Sequence, residues 1–149
     1  MQLELYKDQK DQLNKLWYRL QEHQKVLFQA QTGAGKTVMA SALIAELVAR
    51  GERVAFVCDR QELINQSYAT FGKDNVSILK AGRAKDFDAD KPIQIIMIQT
   101  FFARKDKLPD MELSYILIDE VHNNWHTGRI NELLRIYSDA KVVGLTATP

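Results

Sequence analysis

The chain has 149 residues, of which 46% are hydrophobic and 26% charged, which suits one compact domain with a real core. Lys and Arg total 20 against 19 acids, a formal charge of +1 that excludes a histone-like or tail-like polyanion binder but allows a local basic rim. Cys58 is the only cysteine, which excludes an intrachain disulfide and a cysteine-built zinc site.

The N-terminus, Met1 to Lys7, carries no long apolar run, and the apolar stretches elsewhere are strand-sized. A soluble, intracellular (cytoplasmic) chain without a membrane segment is the expectation. From Lys7 to Gln24 a polar stretch places Leu13, Leu16, Trp17 and Leu20 at helical spacing. Val26 to Phe28 forms a short strand that runs into a glycine-rich loop. Val38 to Arg50 is an alanine-rich helix with Gly51 as its stop. Val54 to Val57 is a second strand, and Gln61 to about Phe71 a helix. Val76 to Leu79 and Ile93 to Ile98 are further β-branched runs, separated by a polar loop from Lys85 to Pro92. A second loop, Lys105 to Pro109, precedes the strand Tyr115 to Ile118. Ile130 to Tyr137 is a helix and Val142 to Leu145 a final strand. Strands alternate with helices and are continuously apolar, the pattern of a mainly parallel sheet covered on both faces. The fold class is α/β, a three-layer sandwich, with one domain over residues 1–149.

Three segments carry chemistry. Ala30-Gln31-Thr32-Gly33-Ala34-Gly35-Lys36-Thr37 lies between a strand and a helix, the context a phosphate loop demands. Gly33 and Gly35 let the backbone wrap an anion, while amides at the helix start, with Gln31, Thr32 and Ala34, supply the cradle. Lys36 is placed to reach the β- and γ-phosphates of a nucleoside triphosphate and Thr37 to ligate magnesium. Ile116-Leu117-Ile118-Asp119-Glu120-Val121-His122 ends a buried strand in two carboxylates, which is costly unless positive charge sits there. A magnesium ion shared by Thr37 and Asp119 would supply it, and Glu120 would orient and deprotonate the attacking water. Gly144-Leu145-Thr146-Ala147-Thr148-Pro149 is a strand end bearing two hydroxyls; alone it reads as a polar turn.

In order and spacing, these three segments resemble motifs I, II and III of the superfamily 2 helicases and translocases, over essentially the whole chain. That resemblance implies a RecA-like P-loop fold, ATP and Mg2+ as cofactors, and ATP hydrolysis that drives movement on nucleic acid. Alanine at position 30, where the general phosphate loop has glycine, is common in that superfamily. It also implies a coupling role for His122, Thr146 and Thr148. Leu5-Tyr6-Lys7-Asp8-Gln9 resembles the upstream glutamine motif, in which Gln9 would read the adenine edge through its amide; the alternative is a surface glutamine. Phe56 to Gln66 resembles motif Ia, giving Arg60 a contact with the nucleic-acid backbone or, alternatively, a surface ion pair. Ile98-Gln99-Thr100-Phe101 resembles the next nucleic-acid motif, with Gln99 as contact; Met97 departs from the threonine common two residues before that glutamine. Asp119-Glu120-Val121-His122 resembles the DExH branch and, with Asp59 to Leu63, the motor subunits of restriction enzymes. DNA is therefore favoured over RNA as partner.

His122 and His126 stand four apart, yet Asn123 replaces the glutamate of a metalloprotease helix, so zinc is not the reading. Trp17 is assigned to the core and Cys58 to a buried thiol, Trp125 is left between stacking and packing, and Arg104, Lys105 and Lys107 read as a solvated loop. In the superfamily, ATP lies between two α/β domains, and the second brings an arginine finger. The chain closes just after motif III, so the expectation is a monomeric first domain, weak in hydrolysis alone. The competing class is a non-motor nucleotide-binding or regulatory module, separated from a motor by the presence of a second domain.

Overall fold

A computed structural model describes residues 7–30, 33–58, 61–119 and 127–146. In chain order the elements are α1 (Lys7–Glu22), β1 (Lys25–Gln29), α2 (Gly33–Ala49), β2 (Val54–Cys58), α3 (Gln61–Phe71), β3 (Val76–Leu79), β4 (Ile93–Met97), α4 (Ile98–Arg104), β5 (Tyr115–Asp119), α5 (Thr127–Ile136) and β6 (Lys141–Thr146). Single 3-10 turns occupy Lys73–Asn75 and Ala84–Asp86. The six strands form one sheet in the order β1-β6-β5-β2-β4-β3, and every pairing is parallel. The mainly parallel α/β sandwich read from the sequence is therefore what the chain forms.

The continuous apolar strands are explained by a core on each face. Successive side chains of a strand point to opposite faces. Val54, Phe56 and Cys58 of β2, Ile93, Ile95 and Met97 of β4, and Tyr115 and Leu117 of β5 join one buried cluster with Leu16, Leu20, Leu43, Leu47 and Ile64 of α1, α2 and α3. Ala55, Val57, Ile96, Ile116 and Ile118 point the other way and meet Ile98, Phe101 and Leu133 of α4 and α5. Each such side chain removed from water contributes about 1.5–3 kcal/mol. The fully buried Leu20 and half-buried Leu13 confirm the helical spacing of α1. Trp17 is half-buried against the same core, and the Arg50 guanidinium lies 4.2 Å from its ring centroid. Cys58 is buried, as expected.

Gly51 takes φ +81° just beyond α2, and the following amide, that of Glu52, reaches back to Leu47 O at 2.9 Å. That left-handed cap stops the helix where the sequence placed it. One element differs from expectation. The apolar run from Ile93 predicts strand through Ile98, whereas β4 ends at Met97 and Ile98 opens α4. Burying Ile98 and Phe101, three apart, gives the second segment a helical face that a β-branched run conceals. Thr100 Oγ1 then accepts the Ala81 amide at 3.1 Å, which fixes this buried hydroxyl.

At the opposite, N-terminal ends of the strands, Arg53 ties three loop positions together. Its Nε donates to Met111 O at 2.9 Å, Nη1 to Asp90 O at 3.0 Å, and Nη2 to Ala89 O. Ser114 Oγ accepts the Arg53 amide at 3.0 Å, so β2 and β5 start in register.

Candidate nucleotide site

In an all-parallel sheet the C-terminal ends of all strands share one edge, and ligands gather there. Ala30, which follows β1, and Cys58, Met97, Asp119 and Thr146, which close β2, β4, β5 and β6, therefore line up along that edge. Alternation decides which of the motif residues meet. Tyr115 and Leu117 face the layer of α1, α2 and α3, so Asp119, two further on, faces it as well. Lys36 enters from α2 on that side. Its Nζ lies 2.9 Å from Asp119 Oδ1, and each side chain retains only 2% of its exposure.

The Lys36 ammonium is thus one positive charge beside Asp119. Withdrawing an ammonium and a carboxylate from water is expensive, and mutual attraction at hydrogen-bonding distance offsets it. A buried lysine that closes on a carboxylate is also a group whose position and charge suit a phosphate.

Thr37 follows Lys36 and is half-buried, lining a cavity of about 20 Å3 with Ser41, Phe56, Gln66 and Ser67. Gly35 lies one residue before Lys36 in α2, which begins at Gly33 and includes Ala34. Gln9 sits in the first turn of α1, the helix that packs on β1 and α2. Gln99 is exposed in the first turn of α4. Thr146 is buried, but its strand position shares the face of Val142, so its side chain is directed to the α4 and α5 layer, opposite to Asp119. Its backbone bridges the two motifs instead: Thr146 O accepts the Ala30 amide at 2.9 Å. Gln31, Thr32, Arg60, Glu120, His122, Trp125, His126 and Thr148 lie outside the described residues. A larger hollow, of about 430 Å3, lies at the other end of the strands among Phe101, Leu108, Asp110, Glu112, Tyr137 and Ala140. Its size does not make it the site; the buried charged pair is at the opposite edge.

The profile of the type III restriction enzyme res subunit family matches residues 2–149. The chain belongs to that family. Among curated relatives, a chloroplastic DExH-box ATP-dependent RNA helicase, DExH15, from Arabidopsis thaliana is 29% identical over 141 residues, covering 83% of this chain and 12% of its own. A probable helicase, HelY, from Mycobacterium tuberculosis is 28% identical over 131 residues, covering 83% of this chain and 14% of its own. Two solved structures share the fold: the helicase domain of Hef from Pyrococcus furiosus, with a TM-score of 0.71 at 20% identity, and the UvsW helicase of bacteriophage T4, with 0.73 at 19%. They match 92% and 98% of this chain, which covers 33% and 53% of theirs. The chain thus corresponds to one RecA-like domain of a superfamily 2 helicase, as the motif order implied. It spans only about an eighth of the curated relatives' length. Among the described residues no helix is long and apolar enough to cross a membrane.

Proposed function

We propose that this chain is the ATP-binding first motor domain of a superfamily 2 DNA helicase or translocase, which hydrolyses ATP to drive movement on nucleic acid when joined to a second RecA-like domain. The observation that carries the reading is the Lys36–Asp119 pair, 2.9 Å apart and buried at the C-terminal edge of the sheet.

Lys36 exchanges its carboxylate partner for the β- and γ-phosphates, so its desolvation is already met before the nucleotide arrives. The donor set suits magnesium: a carboxylate released from Lys36 and a helix-borne hydroxyl, Asp119 and Thr37, are hard oxygen ligands. The ion would contribute charge neutralisation on the phosphates. Glu120 orients the water and takes its proton. Gly33, Ala34, Gly35, Gln31 and Thr32 cradle the phosphates, and Gln9 holds the adenine edge. His122, Thr146 and Thr148 relay the state of the nucleotide, and Arg60 and Gln99 meet the nucleic acid. The second domain supplies an arginine finger, worth roughly a thousandfold or more in rate. The 149-residue chain by itself therefore binds nucleotide weakly and turns it over slowly.

The test is calorimetric titration with MgATP of the parent and Lys36→Ala, followed by turnover of Glu120→Gln in the two-domain protein. Lys36→Ala should lose binding; Glu120→Gln should keep binding and lose hydrolysis. Equal affinity in Lys36→Ala and parent rejects the reading, and undiminished turnover in Glu120→Gln removes that residue from the base role. One relative is named an RNA helicase, so DNA and RNA are both offered as activators; stimulation by RNA alone would reverse the preference for DNA.

A further inference from the structure

The outer surface of α4 and α5 carries an aromatic ring that the core does not use. Phe101 is buried, whereas Phe102 is 39% exposed and lies three residues beyond the exposed Gln99, on the same side of α4. Two cations approach the Phe102 ring from different elements: Lys105 Nζ at 4.8 Å from its centroid and Arg129, in the first turn of α5, at 5.4 Å. Lys105 is shared with Glu132 at 3.2 Å. Arg104, Lys107 and Arg129 have no carboxylate at ion-pair distance among the described residues. The result is an exposed ring flanked by two cations, Lys105 and Arg129, on helices that both follow strand ends on the nucleotide edge.

We propose that Phe102 is a stacking platform for an unpaired base of a single-stranded nucleic acid, with Arg129 and Lys105 holding the flanking phosphates. The inference rests on the reading above for the presence of a nucleic-acid strand, and adds a base contact where that reading places only Arg60 and Gln99. Magnitudes favour this occupant. An exposed cation over a phenyl ring gains about 0.5–1 kcal/mol. A base stacked on the ring gains about 1–3 kcal/mol, and the displaced cations move to phosphates with release of counterions. The groups that meet the ring, Lys105 and Arg129, are cations, which suit a phosphate-bearing strand better than an apolar protein surface.

The experiment is fluorescence anisotropy of labelled oligothymidylate and oligouridylate with the 149-residue chain, for the parent, Phe102→Ala, Phe102→Leu, Phe102→Trp and Arg129→Gln. Phe102→Leu keeps the apolar contact with the helix while removing the aromatic face, so a fold defect cannot imitate the loss; thermal unfolding of each variant checks this. The expected result is roughly tenfold weaker binding for Phe102→Ala and Phe102→Leu, and parental affinity for Phe102→Trp. Arg129→Gln should lower the salt slope by about one. Parental affinity in Phe102→Leu, or no binding of either oligonucleotide by the parent, overturns the inference. MgATP titration of the same preparations separates the two levels: intact nucleotide binding leaves the motor reading standing when the Phe102 result is negative.

Discussion

The Ala30 amide donates to Thr146 O at 2.9 Å, joining the root of the glycine-rich loop to the end of β6. The bond continues the β1–β6 ladder by one step past the Gln29–Thr146 pair. It depends on backbone geometry, so either segment can move only by dragging or breaking the other. Lys36 and Asp119 form a second link, through side chains, between α2 and β5. The ends of β6 and β5 are thus tied to Ala30 and to α2 by different chemistry, and they respond differently to substitution.

Removing one member of the buried pair leaves the other charged and desolvated. Asp119→Ala and Lys36→Ala should each lower unfolding free energy by about 3–5 kcal/mol. The double variant Lys36→Met with Asp119→Leu should recover most of that loss. Urea unfolding of the singles and the double measures the coupling; additive losses would deny that the two charges support one another.

Arg53 holds three carbonyls in two loops with one guanidinium. Lysine presents a point charge and cannot reproduce that fork. Arg53→Lys should cost about 2 kcal/mol, with nucleotide affinity unchanged because the loops lie at the far end of the strands. A denaturation midpoint equal to the parent's would show that the fork is unimportant.

Glu132 gives a pH signature. Hydrogen bonds from Arg135 and Lys105 lower its carboxyl from 4.5 to about 2. A folded-state pKa below the unfolded value adds stability that is present above pH 4.5 and is lost as the pH falls through about 2. The difference in melting temperature between parent and Glu132→Gln should therefore be constant near neutrality and shrink on acidification below 4.5. A difference that persists to the acid limit would point to packing instead.

Trp17 reports on the junction of α1 and α2. Its ring lies under Arg50, which also pairs with Glu46 at 2.7 Å. Arg50→Ala should shift Trp17 emission and cost about 0.5–1 kcal/mol, while Glu46→Gln should leave emission nearly unchanged because that exposed pair is screened. Equal spectral effects from both would place the influence in charge and not in the stacked contact.

The sequence by itself determined the alternation of helices and strands, the two-sided burial of the sheet and the loop-to-helix context of Lys36, because these follow from local periodicity and from glycine and lysine spacing. It did not show where β4 ends, since Ile95 to Ile98 is apolar throughout and only the second core at Phe101 and Leu133 turns Ile98 into a helix. Strand order was equally hidden, because β6, last in the chain, inserts between β1 and β5. That insertion aligns Ala30, Asp119 and Thr146 along one edge. The choice of Lys36 as the counter-charge of Asp119, and of the opposite face for Thr146, was made by strand alternation acting across the assembled sheet. Periodicity is written in neighbouring residues, whereas partners brought together from distant parts of the chain are selected only once the layers have packed.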